Sequence, residues 1–186
     1  KEIRTADAWP PREAVYQTYY LGEDSSGSVS SLNDGSLATR APRSARSATG
    51  YDYPDPGWRQ GVVGNGPEGR PDPARRVLTF TTEPLAADLE IAGPMKLVLY
   101  AASTQVDTDF IVKLSEQYAQ APEDRNKGLN PRYQIVTKGW LRASHRKLDA
   151  KQSREHAPVY THVKPEPVTP NKVYCYEIAV MPTAHR

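Results

Sequence analysis

VLTFTTEPLAADLEIAGPMKLVLYAASTQVDTDFIVKLSE, residues 77–116, and TKGWLRASHR, residues 137–146, hold nearly all the clean strand signals of the chain. The apolar and β-branched runs of this region, Val77 to Thr82, Met95 to Ala101, Phe110 to Leu114 and Tyr133 to Leu141, are short and lie between turn-forming residues. Such runs match strands better than helices. The expected fold is therefore all-β, an antiparallel β-sandwich, with the remaining residues wrapped around this centre.

Composition supports that class. A chain of 186 residues suits one domain with a real core, and its 17 prolines and 12 glycines argue against a helical bundle. The formal net charge is +2 with no long run of either sign, so no basic face for nucleic acid is expected. The single cysteine, Cys175, excludes an intrachain disulfide and is expected to be a small buried hydrophobe in a final strand. No apolar stretch is long enough to span a membrane and no signal-peptide core opens the chain, which begins at Lys1 without Met and reads as a piece of a longer polypeptide. The compartment stays undetermined.

Outward from the centre, Val15 to Leu21 reads as a tyrosine-rich strand, and Asn33-Asp34-Gly35 as the turn of a small hairpin. Tyr51 to Pro73 is too rich in Pro and Gly for regular structure beyond turns, yet too apolar for a solvated linker, so it is expected to pack on a surface. Gln117 to Arg132 reads as an exposed loop, and Ser144 to Pro158 as the best helical candidate, short and exposed. In the last strand, Lys172 to Met181, alternation puts Val173, Cys175, Glu177 and Ala179 on one face and Tyr174, Tyr176, Ile178 and Val180 on the other.

Chemical motifs are sparse. G-x-S-x-G is absent, and Ser144-His145-Arg146-Lys147 matches S-x-x-K without the S-D-N and K-T-G elements that chemistry needs. His145, His156, His162 and His185 lack zinc-site spacing, which favours solvated or hydrogen-bonded imidazoles, and Gly61 to Gly69 lacks a phosphate-loop ending. Asp107-Thr108-Asp109 offers two carboxylates to a hard cation, but side chains bonding backbone amides at a strand start account for it better. The residues alone show no catalytic constellation, no metal site and no cofactor.

Five motifs in order carry a resemblance. Leu78 to Leu85, Asp88 to Pro94, Asp107 to Phe110, Gly139 to Ser144 and Pro182 to His185 resemble the C-terminal jelly-roll domain of the cocaine esterase, X-prolyl dipeptidyl-peptidase and α-amino-acid ester hydrolase family of serine hydrolases. Trp9-Pro10 and Tyr19 to Leu21 resemble the segment that leads into it. The resemblance implies a galactose-binding-like jelly-roll β-sandwich over 74–186, lacking its last strands, with a long irregular wrap over 1–73 that packs between hydrolase domain and jelly roll. It also implies a non-catalytic role: buttressing the active site of a peptidase or acyl esterase whose Ser-Asp-His triad lies N-terminal to the matched region. The partners implied are the α/β-hydrolase and cap domains of the same polypeptide and a small acyl ester or peptide substrate. Homo-oligomerisation is left open. Trp58, Val62 and Val63 fall where the family supplies apolar contacts to the acyl pocket and are the candidate substrate-binding residues. The alternative is a free-standing β-sandwich that binds carbohydrate or a protein partner through its exposed aromatics; an independent enzyme would need a site that the residues do not show.

Overall fold

The computed structural model describes residues 5–42, 48–53 and 64–186. Its strands are β1 Tyr20–Ser25, β2 Gly35–Ala38, β3 Gly64–Asn65, β4 Pro71–Asp72, β5 Phe80–Thr81, β6 Ile91–Ala101, β7 Asp109–Gln117, β8 Tyr133–Arg142 and β9 Tyr174–His185, with one short helix, α1 Pro122–Asn126. The all-β expectation holds. The chain forms two compact units, one of Lys1–Ala14, Leu89–Glu116 and Gln134–Arg186, the other of Val15–Asp88 and Gln117–Tyr133.

The first unit is organised by a four-stranded sheet in the order β6-β9-β8-β7. β6 and β9 pair antiparallel from Ile91 opposite His185 to Ala101 opposite Tyr174. The register slips by one residue between Gly93–Thr183 and Met95–Val180, so β9 carries an extra residue at Met181-Pro182. A bulge is where a strand tolerates proline, which has no N–H to give the ladder.

The inward row of β9 builds the core. Tyr176 and Ile178 are fully buried and cluster with Leu141, Ala143 and Val168, while Leu97, Leu99, Phe110, Val112, Tyr160 and Tyr174 pack against them. The rings of Phe110 and Tyr176 meet at 4.8 Å with a 52° tilt, within the favoured range for aromatic pairs. Burying Ile178 alone stabilises the fold by about 1.5–3 kcal/mol. The alternation expected along β9 is the one observed, but Cys175 is exposed. The expectation of a buried thiol fails because Cys175 shares its row with Val173 and Glu177, on the face opposite the core.

β8 meets β9 with Gly139 opposite Val180. A Cβ on Gly139 would stand 2.3 Å from the Ala179 carbonyl oxygen and 3.0 Å from the Val180 Cα. Backbone cannot yield as a side-chain tip can, so the strands approach this closely only over glycine. Tyr160 supplies a further backbone partner to β9: its hydroxyl donates to the Glu177 carbonyl and accepts from the Ala179 N–H, both at 2.8 Å. Burial of this phenol raises its pKa.

Ser144 to Pro158 does not form the expected helix. A single 3₁₀ turn, Ala143–His145, is followed by turns and two isolated bridges, Leu148 with Tyr160 and Arg154 with Ala157. Local side-chain bonds outcompete the helix: the Asp149 carboxylate accepts from the Lys151 and Gln152 amides, and Ser153 Oγ donates to the Val159 carbonyl and accepts from its N–H. The segment also begins inside, with Ala143 and Ser144 buried.

In the second unit β1 and β2 pair antiparallel, and β2 runs parallel to β5 with Gly35 opposite Phe80. The first strand begins at Tyr20, later than the expected Val15. Asn33-Asp34-Gly35 closes a long loop rather than a tight hairpin turn, because the Asp34 carboxylate collects Ser25 and Ser26 hydroxyls and the Gly27 and Val29 amides. Burial works to raise the Asp34 carboxyl, but these hydrogen bonds outweigh it and hold the pKa below the ordinary aspartate value. Within Gln117 to Arg132, expected as loop, α1 forms, and the following Asn130 side chain accepts from the Ser30 amide while donating to the Ser30 carbonyl and to Asp72.

Two outcomes follow. Gly139→Ala lowers the urea midpoint of unfolding by the equivalent of about 2–3 kcal/mol or more, the upper range for overpacking. A depressed folded-state pKa means that Asp34 contributes stability that is complete above the unfolded aspartate value and is lost as pH falls through the folded one. Below about pH 4 the wild type therefore loses stability more steeply than Asp34→Asn, as read by pH-dependent urea denaturation.

Candidate functional site

Trp58, Val62 and Val63 lie outside the described residues. The candidate features that the structure does describe are in the first unit: a carboxylate clamp at Asp107, the outer face of the four-stranded sheet, and a pair of imidazoles.

Asp107 Oδ1 accepts from the Thr108 amide at 3.0 Å and the Ser144 amide at 2.9 Å, and Oδ2 accepts from the Ser144 hydroxyl at 2.7 Å. Both oxygens are thus committed to the strand start, as the scaffold reading expects. Ser144 Oγ is the donor in that clamp, and Lys147 faces Glu166 at 3.5 Å, so the S-x-x-K pair is divided between two structural contacts. Asp109 instead forms a two-pronged ion pair with Arg142, at 2.9 and 3.0 Å. The hydrogen bond from Arg142 holds the Asp109 carboxyl below its ordinary pKa. This pair is more than half exposed on both sides and is screened accordingly.

The outer face of the sheet is apolar over much of its area. Val98 and Tyr100 on β6, Ile111 on β7, Trp140 on β8 and Val173 just before β9 are exposed by 43, 72, 72, 61 and 61%. The Asp109–Arg142 pair and the bond from the Tyr118 amide to the Arg132 carbonyl show β7 and β8 running antiparallel, and two residues inward from that ion pair on each strand are Ile111 and Trp140. Two ion pairs lie on this face, Lys96 with Glu177 and Arg142 with Asp109, beside the exposed Lys113 and Lys138. Tyr100 stands opposite Cys175 in register, and the hydrogen bond between them raises the phenol pKa. The sequence reading did not single out this face. Its signal was present: LVLY, residues 97–100, and FIV, residues 110–112, are unbroken apolar runs rather than alternating ones, the pattern of strands covered on both faces.

The imidazoles of His145 and His162, seventeen residues apart, meet with Nδ1 atoms 3.3 Å from each other and ring centroids at 5.3 Å. Spacing along the chain could not show this, since a turn and a bridge bring them together. His185 pairs with Glu116 at 3.1 Å and His156 lies near Glu155.

The whole chain, residues 1–186, matches the model of the X-Pro dipeptidyl-peptidase C-terminal non-catalytic domain. It belongs to that family. Proteins bearing the name serine esterase from Mycobacterium bovis and Mycobacterium tuberculosis are each 28% identical over 196 residues, covering 98% of this chain and 28% of their own length. Cocaine esterase from Rhodococcus is 32% identical over 128 residues, covering 63% of this chain and 22% of its own. A crystal structure of a CocE/NonD family hydrolase from Staphylococcus aureus aligns with 51% of this chain and 18% of its own at 23% identity, with a TM-score of 0.41. The chain therefore spans little more than a quarter of the mycobacterial relatives.

Asp107 and Asp109 separate by their burial. Asp107→Ala strands the amide and hydroxyl of buried Ser144 and destabilises by at least about 2 kcal/mol, whereas Asp109→Ala costs under about 1 kcal/mol, an effect that shrinks further in high salt. Thermal and urea unfolding of the two variants measure the difference.

Proposed function

We propose that this chain is the C-terminal non-catalytic domain of an α/β-hydrolase-type serine hydrolase, that it buttresses the active site, and that it helps shape the pocket for a small acyl ester or peptide substrate. In this reading residues 1–73 pass between the hydrolase domain and a jelly roll over 74–186. The observation that carries it is the outer face of the sheet, which exposes Trp140, Ile111, Tyr100 and Val98 on a chain that covers 28% of the mycobacterial relatives' length. Exposed apolar patches of this kind mark interaction surfaces. The occupant is the catalytic part of the same polypeptide, because a domain described as non-catalytic acts on the reaction only by contact with the part that is catalytic. Trp58, Val62 and Val63 are proposed to contribute apolar contacts to the acyl pocket.

The test uses the full-length polypeptide and the 186-residue chain side by side, on aryl esters and aminoacyl-arylamides. The chain alone gives no turnover; turnover by it would sink the non-catalytic reading. In the full-length polypeptide, Trp140→Ser with Ile111→Ser removes anchor contacts worth about 2 kcal/mol or more, lowering kcat/KM and the unfolding temperature together. Trp58→Ala shifts KM between acyl groups of different size without lowering the unfolding temperature. An unchanged acyl preference in Trp58→Ala would remove that residue from the pocket while leaving the docking face standing.

A further inference from the structure

The His145–His162 pair is not absorbed by a buttressing role. His145 belongs to the 3₁₀ turn whose neighbour Ser144 is clamped by Asp107, and the next residue, Arg146, bonds the Ala143 and Glu166 carbonyls and lies 4.6 Å over the Tyr174 ring. His162 follows Tyr160, whose hydroxyl is fixed to β9, and Thr161, whose amide bonds the Lys147 carbonyl; its own φ of +50° is a left-handed conformation. His145 is thus carried by backbone anchored on either side, and His162 by backbone anchored just before it.

The distance between them also suits a second arrangement. A hydrogen bond from an N–H is best at roughly 2.7–3.2 Å, and 3.3 Å is long for one. Two nitrogens bound to one tetrahedral zinc ion, with Zn–N near 2.0–2.1 Å, stand about 3.3 Å apart. Among the described residues neither Nε2 has a hydrogen-bond partner, so each ring can carry its proton there and present Nδ1 as a lone pair. The adjacent cations are directed elsewhere: Lys147 faces the Glu166 carboxylate, and Arg146 the Glu166 backbone and the Tyr174 ring.

We propose that His145 and His162 form a two-imidazole chelate for a zinc-type divalent transition-metal ion, with its remaining coordination positions open. Imidazole suits this class of ion rather than calcium or magnesium. No third His, Cys, Asp or Glu joins the pair among the described residues, so water or a donor from a bound molecule completes the shell. The assignment is independent of the docking reading.

Calorimetric titration of the purified, tag-free protein with zinc chloride tests it, with the apoprotein's circular dichroism confirming that each variant is folded. Wild type binds an ion that His145→Ala and His162→Ala each weaken by about tenfold or more, while His156→Ala and His185→Ala bind as wild type does. On the wild type itself, zinc shifts the NMR resonances of the His145 and His162 rings before those of His156 and His185, a readout that survives even if a variant fails to fold. Magnesium produces neither effect. Equal zinc binding by wild type and the doubly substituted His145→Ala, His162→Ala protein, or ring shifts that start at His156 or His185, would overturn the site and leave a hydrogen-bonded imidazole pair.

Discussion

The carboxylate of Asp107 holds together two stretches 37 residues apart, and much of the first unit depends on it. Because both its oxygens are taken by the strand start and by Ser144, the chain leaving β8 must turn there instead of continuing the sheet. The Ala143 amide then reaches the Thr108 carbonyl, the Glu166 amide reaches Ser144, and the Val168 amide reaches Val106. That sequence of bonds delivers Val168 into the core beside Ile178 and Tyr176. A carboxylate at this position does what several ladder hydrogen bonds would do in a regular sheet. Its energy per contact is larger, because charge-assisted bonds are roughly twice as strong as neutral ones.

Elements whose formation is decided by their own residues were legible in the sequence. β6, β8 and β9 appear close to where their apolar runs placed them, and the inward row of β9 is the alternating one. Elements decided by a distant partner were not. Ser144 to Pro158 has the charge and composition of a surface helix, yet Asp149 and Ser153 satisfy local amides first and Asp107 draws the start of the segment inside. Cys175 was misjudged by residue type: cysteine favours burial, but position within a period-2 strand overrides type, and its neighbours Tyr174 and Tyr176 hold the inner row.

The candidate site was legible to different degrees for similar reasons. The role of Asp107 followed from the chemistry of Asp and Thr at a strand start. The His145–His162 pair could not be read, since a turn and a long-range bridge bring the rings together across residues that have no periodic relation. The outer face sits between these cases. Its residues were counted as strand signal, and the unbroken apolar runs that revealed the strands were also evidence for a second covered face.

That second face bears on what kind of domain this is. A sheet that buries one row and solvates the other needs polar residues on its outer row, and here the outer row carries Trp140, Ile111, Tyr100 and Val98 among its charged side chains. In the proposed reading such a sheet is a middle layer. Its inner side supplies stability through Tyr176, Ile178 and their neighbours, and in the proposed reading its outer side is the one that the catalytic part covers. The two sides share one backbone, so side chains on adjacent positions of β6, Leu97 and Val98 or Leu99 and Tyr100, face the core and the docking surface in turn. A disturbance of the core, for example at Gly139, therefore shifts Trp140 with it. On this reading a domain without a catalytic group influences a reaction through the rigidity with which it holds its outer row.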